Sequence, residues 1–199
     1  MDLGFQPVPE LGQPALTRSG SWDLLDWPIW DSVSIATAGT TVLNFFTVPI
    51  GGTKTALDTN LKAAGQIPNG SLYDVNAIGF GLRNSAATPI VSDEFREIIY
   101  TGWLEFLIEN QTWFEAPLSK LPFGGGDWGA FGSMTVAAGN VSQTNGLPAY
   151  DAMYKLNRAI RIAKNVSFAA RINWPTAPTP AVAIFGVVVL HGIAWRAGK

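Results

Sequence analysis

Short apolar runs with a two-residue period recur along this chain, and turns rich in glycine and proline separate them. The clearest run extends from Trp103 to Asn110, where Leu104, Phe106 and Ile108 alternate with more polar neighbours. Successive side chains of a β-strand point to opposite faces, so this alternation predicts a strand with one buried face. Further strands are predicted at 32–36, 41–48, 71–82, 112–116, 156–162, 165–173 and 182–195.

Some of these strands leave local details open. Residues 112–116 follow the preceding strand so closely that the two form either a hairpin or one bent strand. Residues 156–162 also fit a helix in part, and we assign them to a strand because of the strands around them. Gly79 and Gly81 indicate a bulge or bend within their strand.

Helix signals are short and scarce. A short helical turn is predicted at 58–65, where an Asx/Thr start precedes Gly65. A second short segment is predicted at 92–97, because Ser92 can cap it and acidic residues follow. Seven to nine strands with so few helices predict an all-β protein, an antiparallel β-sandwich or jelly roll with long loops.

The N-terminal residues differ from the rest of the chain. Residues 1–30 contain prolines but no sustained hydrophobic period, which predicts an extended N-terminal arm, with 31–199 as one domain. The arm carries Trp22, Trp27 and Trp30, and burying rings of this size gains on the order of 2–3 kcal/mol each. We therefore expect the arm to lie on its own domain or on a neighbouring molecule.

Composition restricts the function. Charged residues make up 14% of the 199 residues, against about 25% in typical soluble domains, so much of the surface is expected to be neutral or covered. The net charge is -2 and no basic run occurs, which argues against direct nucleic-acid binding. The absence of cysteine excludes disulfides, thiolate metal sites and cysteine nucleophiles. The first residues show no secretion-signal pattern.

Candidate catalytic groups are few. His191 is the single histidine and has no second histidine or cysteine to share a metal, so we interpret it as structural. Glu105, Glu109 and Glu115 could supply the paired carboxylates of a glycosidase, but solvent-facing glutamates explain the same pattern. We expect no enzymatic activity, no metal and no cofactor.

One long stretch, Phe45 to Leu82, connects two strands through a neutral loop, and its motifs resemble a known family. These motifs are Val48-Pro49, Asp58-Thr59-Asn60, Ala64-Gly65-Gln66-Ile67-Pro68 and Tyr73 to Ile78. Together with LNRAIRIAKNVSFAARINWP near the C-terminus, they resemble the single jelly-roll capsid proteins of tailless icosahedral bacteriophages. The resemblance implies a single jelly roll without a catalytic site.

The resemblance also implies partners and a location. The protein would be a virion component, made in the host cytoplasm, that assembles with identical subunits and with other virion proteins; contact with an internal membrane is possible. Low charge, an aromatic arm and long neutral loops at 50–70 and 121–132 fit surfaces that are buried on assembly. The candidate subunit-contact residues are Trp22, Trp27, Trp30, Asp58, Thr59, Asn60, Gln66, Phe123, Trp128 and Phe131.

Two other functions remain open at this point. Tryptophans together with Glu105, Glu109 or Glu115 could make a carbohydrate-binding or glycan-cleaving sandwich. The apolar run from Ala181 to Trp195 could instead belong to a membrane-associated structural protein, although about 20 residues are needed to span a bilayer as a helix.

Overall fold

The computed structural model describes residues 22–67, 71–84, 92–121 and 153–197. Within these ranges the chain forms nine β-strands, one α-helix and one 3₁₀ turn. The elements are β1 (Trp22–Asp26), β2 (Ile29–Ile35), β3 (Val42–Phe45), β4 (Ser71–Asn84), α1 (Ser92–Thr101), β5 (Trp103–Ile108), β6 (Gln111–Pro117), a 3₁₀ turn (Leu118–Lys120), β7 (Tyr154–Ile162), β8 (Phe168–Asn173) and β9 (Ile184–Ala197).

The strands form two antiparallel sheets. Sheet A has β9 between β4 and the pair β1 and β2, with β7 at the far edge beyond β4. Strands β1 and β2 occupy successive stretches of the same edge of β9, opposite residues 193–197 and 184–190 respectively. Sheet B has the order β3, β8, β5, β6.

The pairing of strands is nested. Strand β2 pairs with β9, β3 with β8, β4 with β7, and β5 with β6, so that each pair encloses the next along the chain. From β2 onward, consecutive strands alternate between the two sheets, except at the β5–β6 hairpin. A long hairpin of strands folded over into two sheets is the jelly roll, and the predicted single jelly roll is therefore confirmed.

The core lies between the two sheets. Leu104, Phe106 and Ile108 of β5 point inward, as their alternation predicts, with 0%, 0% and 6% of each residue exposed. The ring of Phe168 contacts those of Phe46 and Phe106, at centroid distances of 5.3 and 6.2 Å. Burial of each large apolar side chain contributes on the order of 1.5–3 kcal/mol, so the alternating strands provide most of the driving force for this fold.

The structure corrects two details of the predicted strands. The bulge of β4 lies between Val75 and Ala77, whereas Gly79 and Gly81 are in regular register with Val189 and Val187. The strand predicted at 41–48 ends at Phe45, because Phe46 has φ of 66° and its N–H turns away to the carboxylate of Asp31. A positive φ is incompatible with continuing a strand.

Both helix predictions also change. Residues 58–65 form turns rather than a helix, because the side chains that could cap a helix bind to β2 instead. The segment predicted at 92–97 continues to Thr101 as α1, since Ile98 and Ile99 are buried against the core. The indole of Trp174 donates a 3.0 Å hydrogen bond to the carbonyl of Ile98 and fixes the end of this helix.

Part of the predicted arm belongs to the sandwich. The division at residue 30 falls inside β2, and residues 22–26 pair with β9 as β1. Pro28 lacks an N–H, which accounts for the break between the two strands. The Trp27 ring packs edge-on against Tyr73 at 6.5 Å, and the Tyr73 hydroxyl donates to the Trp27 carbonyl at 2.7 Å. Residues 22–30 thus lie on their own domain, one of the two alternatives that the sequence left open.

Candidate interaction surfaces

Residues 58–60 run along the edge of β2 that does not face β9, and we call them the β2-edge segment. The carbonyl of Asp58 accepts from the Ser32 N–H at 2.8 Å. The Thr59 hydroxyl donates to the Trp30 carbonyl at 3.0 Å. The Asn60 side chain accepts from the Trp30 N–H at 3.1 Å and donates to the Pro28 carbonyl at 2.8 Å. The segment therefore satisfies backbone groups that a bare edge strand would leave unpaired.

A buried ion pair lies beneath this segment. The carboxylate of Asp31 accepts from Lys54 Nζ at 2.6 Å and from the Phe46 N–H at 2.6 Å. Burial raises the pKa of Asp31 above its ordinary value, although the bonds from Lys54 and Phe46 act in the opposite direction. The pair ties β2 to the start and the middle of the loop at 46–67. The sequence analysis missed it, although Asp31 stands at an inward position between Ile29 and Ile35, where an acid is unexpected.

A second ion pair holds the outer end of the β2-edge segment. The carboxylate of Asp58 accepts from the Thr55 N–H at 3.0 Å and from Arg83 Nη2 at 2.6 Å. These bonds, with that of the Thr55 backbone the strongest, hold the pKa of Asp58 well below its ordinary value. Ser32 Oγ also donates to Asp58, at 3.2 Å, so the carboxylate joins the loop to both β2 and β4.

The candidate subunit-contact residues therefore differ in their surroundings. Asp58, Thr59 and Asn60 bind within the chain, and Thr59 is fully buried, so its side chain has no exposed atom for a neighbour. Gln66 is exposed, Trp27 and Trp30 are half-buried, and Trp22 lies in β1 opposite Ala197. Phe123, Trp128 and Phe131 lie outside the described residues.

Most exposed large apolar side chains of the described residues belong to three groups, and Val42, Tyr100 and Val182 are exposed elsewhere. The first group lies where β1 runs beside β9 and includes Leu24, which is 58% exposed, together with Leu25 and Ile193. The second group lies on the edge strands β6 and β7 and consists of Trp113, 56% exposed, and Tyr154. The third group is in the loop at 46–67 and consists of Leu57, 70% exposed, and Ile50. The largest exposed apolar area on a monomer is often functional.

The outward face of sheet A carries a three-residue cluster. Arg161 binds Asp74 through two parallel hydrogen bonds of 2.7 and 2.9 Å, one to each carboxylate oxygen. The indole of Trp195 donates to the same carboxylate at 2.8 Å. The cluster joins β7, β4 and β9, and Asp74 is only 8% exposed. Both carboxylate oxygens accept hydrogen bonds, so the cluster connects the three strands and does not present a free acid or base.

Two rows of outward side chains cross all four strands of sheet B, and we call this part of the sheet the two-row face. The register aligns the first row as Val42, Asn173, Trp103 and Pro117, and the second row as Asn44, Arg171, Glu105 and Glu115. All eight residues are exposed or half-exposed, whereas the residues between the rows on β3, β5 and β8 are buried.

The structure brings two of the three candidate glutamates together. Glu105 and Glu115 are directly opposite on the two-row face, but Glu109 lies in the β5–β6 turn. Partial burial acts to raise the pKa of Glu105, but hydrogen bonds from Arg171 and Trp103 outweigh it and the pKa lies below its ordinary value. A glycosidase needs one carboxyl group whose pKa is raised so that it can act as the acid. The pKa of Glu105 is shifted in the opposite direction.

His191 lies on the outward row of β9, half-buried, opposite Ala77. Its Nε2 atom is buried without a hydrogen-bond partner, and burial lowers the pKa of its imidazole. Across the described ranges, no group of three or more His, Asp or Glu side chains is placed to hold a metal ion. A structural interpretation of His191 fits this setting.

Comparisons with other proteins found no match: no family model, no curated protein and no solved structure matches the sequence or the fold. The interpretation therefore rests on the residues of this chain. In the part of the chain that the structure describes, no helix combines the length and the apolar character needed to cross a membrane.

Proposed function

We propose that this protein is a structural subunit of a viral shell, and that identical copies assemble through apolar patches on its surface. The observation that carries the proposal is the set of three separate exposed apolar groups on a jelly-roll sandwich. A binding module for one ligand needs a single patch, whereas a shell subunit must contact several neighbours around different symmetry axes. Because a fold alone does not define a function, the proposal depends on these groups.

Three edge strands, β2, β3 and β6, favour assembly through faces and loops rather than through strand pairing. The β2 edge is covered by the β2-edge segment, and β3 at one edge of sheet B is four residues long. Strand β6 at the other edge has a register shift opposite Phe106 and Leu107 and ends at Pro117. Short, bulged or covered edges resist pairing with other chains. Contacts between copies are then expected at Leu24, Leu57 and their neighbours.

The experiment is the absolute mass of the purified protein by light scattering, followed by electron microscopy of the same peak. We expect a symmetric oligomer or a shell, and Leu24→Asp and Leu57→Asp should each lower the mass by placing a charge in a buried contact. Ser34→Asp, at an exposed polar position of β2, is the matched control. A monomer of 21.3 kDa at every concentration would refute the proposed function. Unchanged assembly of both leucine variants would refute the placement of the contacts.

A further inference from the structure

The two-row face has a flat apolar centre. Trp103 stands in the first row between Pro117 and Asn173 on the neighbouring strands. Its indole Nε1 lies 3.4 Å from Glu105 Oε1, which belongs to the next outward residue of the same strand. An indole that reaches along its own strand in this way lies over the sheet instead of standing out from it. Trp103 is half-exposed, and the exposed Pro117 beside it extends the apolar surface.

Fixed polar groups lie directly beside this surface. Arg171 donates to Glu105 Oε2 from both Nε, at 2.9 Å, and Nη2, at 2.5 Å. This fork holds both side chains in one orientation, and Glu105 Oε1 makes the longer contact to Trp103. Glu115 is exposed on the adjacent strand, opposite Glu105. Adjacent strands are about 4.8 Å apart, so acceptors and donors follow one another at short intervals along the second row.

We propose that the two-row face binds a neutral saccharide, with a sugar ring on Trp103 and hydroxyl groups on Glu105, Glu115 and Arg171. A pyranose has an apolar face of C–H groups and a rim of hydroxyls, so it needs a flat apolar surface bordered by hydrogen-bonding groups. The apolar face removes water from the indole, and the rim hydroxyls replace the water that solvates the second row. Both requirements are met in adjacent rows of this face.

Charge selects among saccharides. Glu105 and Glu115 against Arg171 leave one excess negative charge beside Trp103, which disfavours sugars that carry carboxylate or sulfate groups. The face is open rather than enclosed, so it fits one side of a chain of sugars better than a single small sugar. This inference does not depend on shell formation, because neither Leu24 nor Leu57, where the contacts between copies are expected, belongs to the two-row face.

The experiment titrates the full-length protein with maltohexaose, cellohexaose, mannohexaose and xylohexaose in a calorimeter, with hexagalacturonate as the anionic probe. We expect at least one neutral hexasaccharide to bind and hexagalacturonate not to bind. Trp103→Ala should weaken that binding about tenfold or more through loss of the stacked ring. Tyr100→Ala is the matched control, since this exposed aromatic residue lies on α1 and not on sheet B, and it should bind like the wild type.

A second readout keeps the proposal testable if Trp103→Ala folds poorly. The indole N–H resonance of Trp103 in the wild type should move on titration, while that of Trp195, which belongs to sheet A, should not. Absence of binding by all four neutral hexasaccharides would overturn the proposal. Binding that leaves the Trp103 resonance unmoved and is unaffected by Trp103→Ala would also overturn it. Saccharide binding by a protein that stays monomeric would refute only the shell, and a shell that binds none of the four would refute only this inference.

Discussion

The carboxylate of Asp31 and the ammonium group of Lys54 lie 2.6 Å apart, and the two side chains are 0% and 13% exposed. Charges so far from water are tolerated only as a hydrogen-bonded pair, because each alone would cost several kcal/mol of lost solvation. The Phe46 N–H supplies a further bond to Asp31. This pair is therefore one of the contacts that fix the conformation of the loop at 46–67, together with the Asp58–Arg83 pair.

Lys54→Met should lower the free energy of unfolding by about 3–5 kcal/mol at neutral pH, because it leaves Asp31 charged and unpaired. The double variant with Asp31→Asn should recover part of this loss. A group whose pKa is raised on folding contributes stability that is present at low pH and is lost as pH rises. The defect of Lys54→Met should therefore shrink toward acid pH. Denaturant unfolding across pH measures this, and an equal defect at every pH would contradict it.

The contribution of Asp58 to stability has the opposite pH dependence. Its pKa is lowered in the folded protein, so its contribution to stability is present above the ordinary pKa of about 3.9 and is lost as pH falls below that value. Asp58→Asn should cost about 1–3 kcal/mol at pH 7 and should flatten the acid limb of the stability curve. Asp23→Asn, at an exposed pair with Arg196, controls for the loss of one negative charge. An unchanged acid limb in Asp58→Asn would contradict the network.

Tyr73→Phe should destabilise the sandwich by about 1–2 kcal/mol. The Tyr73 hydroxyl lies 2.7 Å from the Trp27 carbonyl and 2.9 Å from the Leu190 carbonyl, and its removal leaves these buried acceptors with one partner fewer. Burial also raises the pKa of Tyr73 far above that of free tyrosine. Tyr100→Phe, 68% exposed, is the matched control and should leave the unfolding temperature unchanged. Equal unfolding temperatures for both variants would show that the hydroxyl of Tyr73 contributes nothing.

Removal of residues 1–28 should destabilise the domain, because the truncation deletes β1 and the Trp27–Tyr73 contact. Loss of the tryptophan contact alone is worth on the order of 2–3 kcal/mol, so the unfolding temperature should fall by about 5–10 °C. Removal of residues 1–21 keeps both strands and serves as the control. Calorimetry that finds the two truncations equally stable would show that β1 contributes nothing to the sandwich.

The strands could be predicted from the sequence because each buries one face. In β5, the buried face consists of the alternating residues Leu104, Phe106 and Ile108. The predictions failed where a side chain competes with the backbone. Asp58 and Thr59 resemble helix caps in the sequence, yet their oxygens bind β2, some 26 to 29 residues earlier. A pattern of neighbouring residues in the sequence cannot reveal a bonding partner that lies so far away in the chain. Glycines suggested a bulge at 79 and 81, whereas the actual bulge follows from a register shift set by two neighbouring strands.

The candidate surfaces were predicted only in part. The low charge of the chain indicated neutral surface, but not which residues present it. Trp27 and Trp30 were correctly expected to be covered, and sequence could not decide what covers them. The alignment of Glu105 with Arg171 and Glu115 depends on the pairing of β5 with β8 and β6, which only the folded sheet defines.

The nested pairing of the strands has a consequence for synthesis of the protein. Among the described strands, only β5 and β6 are neighbours in sequence that pair with each other, and β1, β2 and β4 all depend on β9, whose paired residues follow theirs by 100 residues or more. Contacts this distant in sequence form slowly. A chain emerging from the ribosome therefore cannot complete sheet A until β9 has been made. Partly made chains would expose the unpaired edges of β2 and β4, so newly made copies would benefit from protection until translation has passed residue 197.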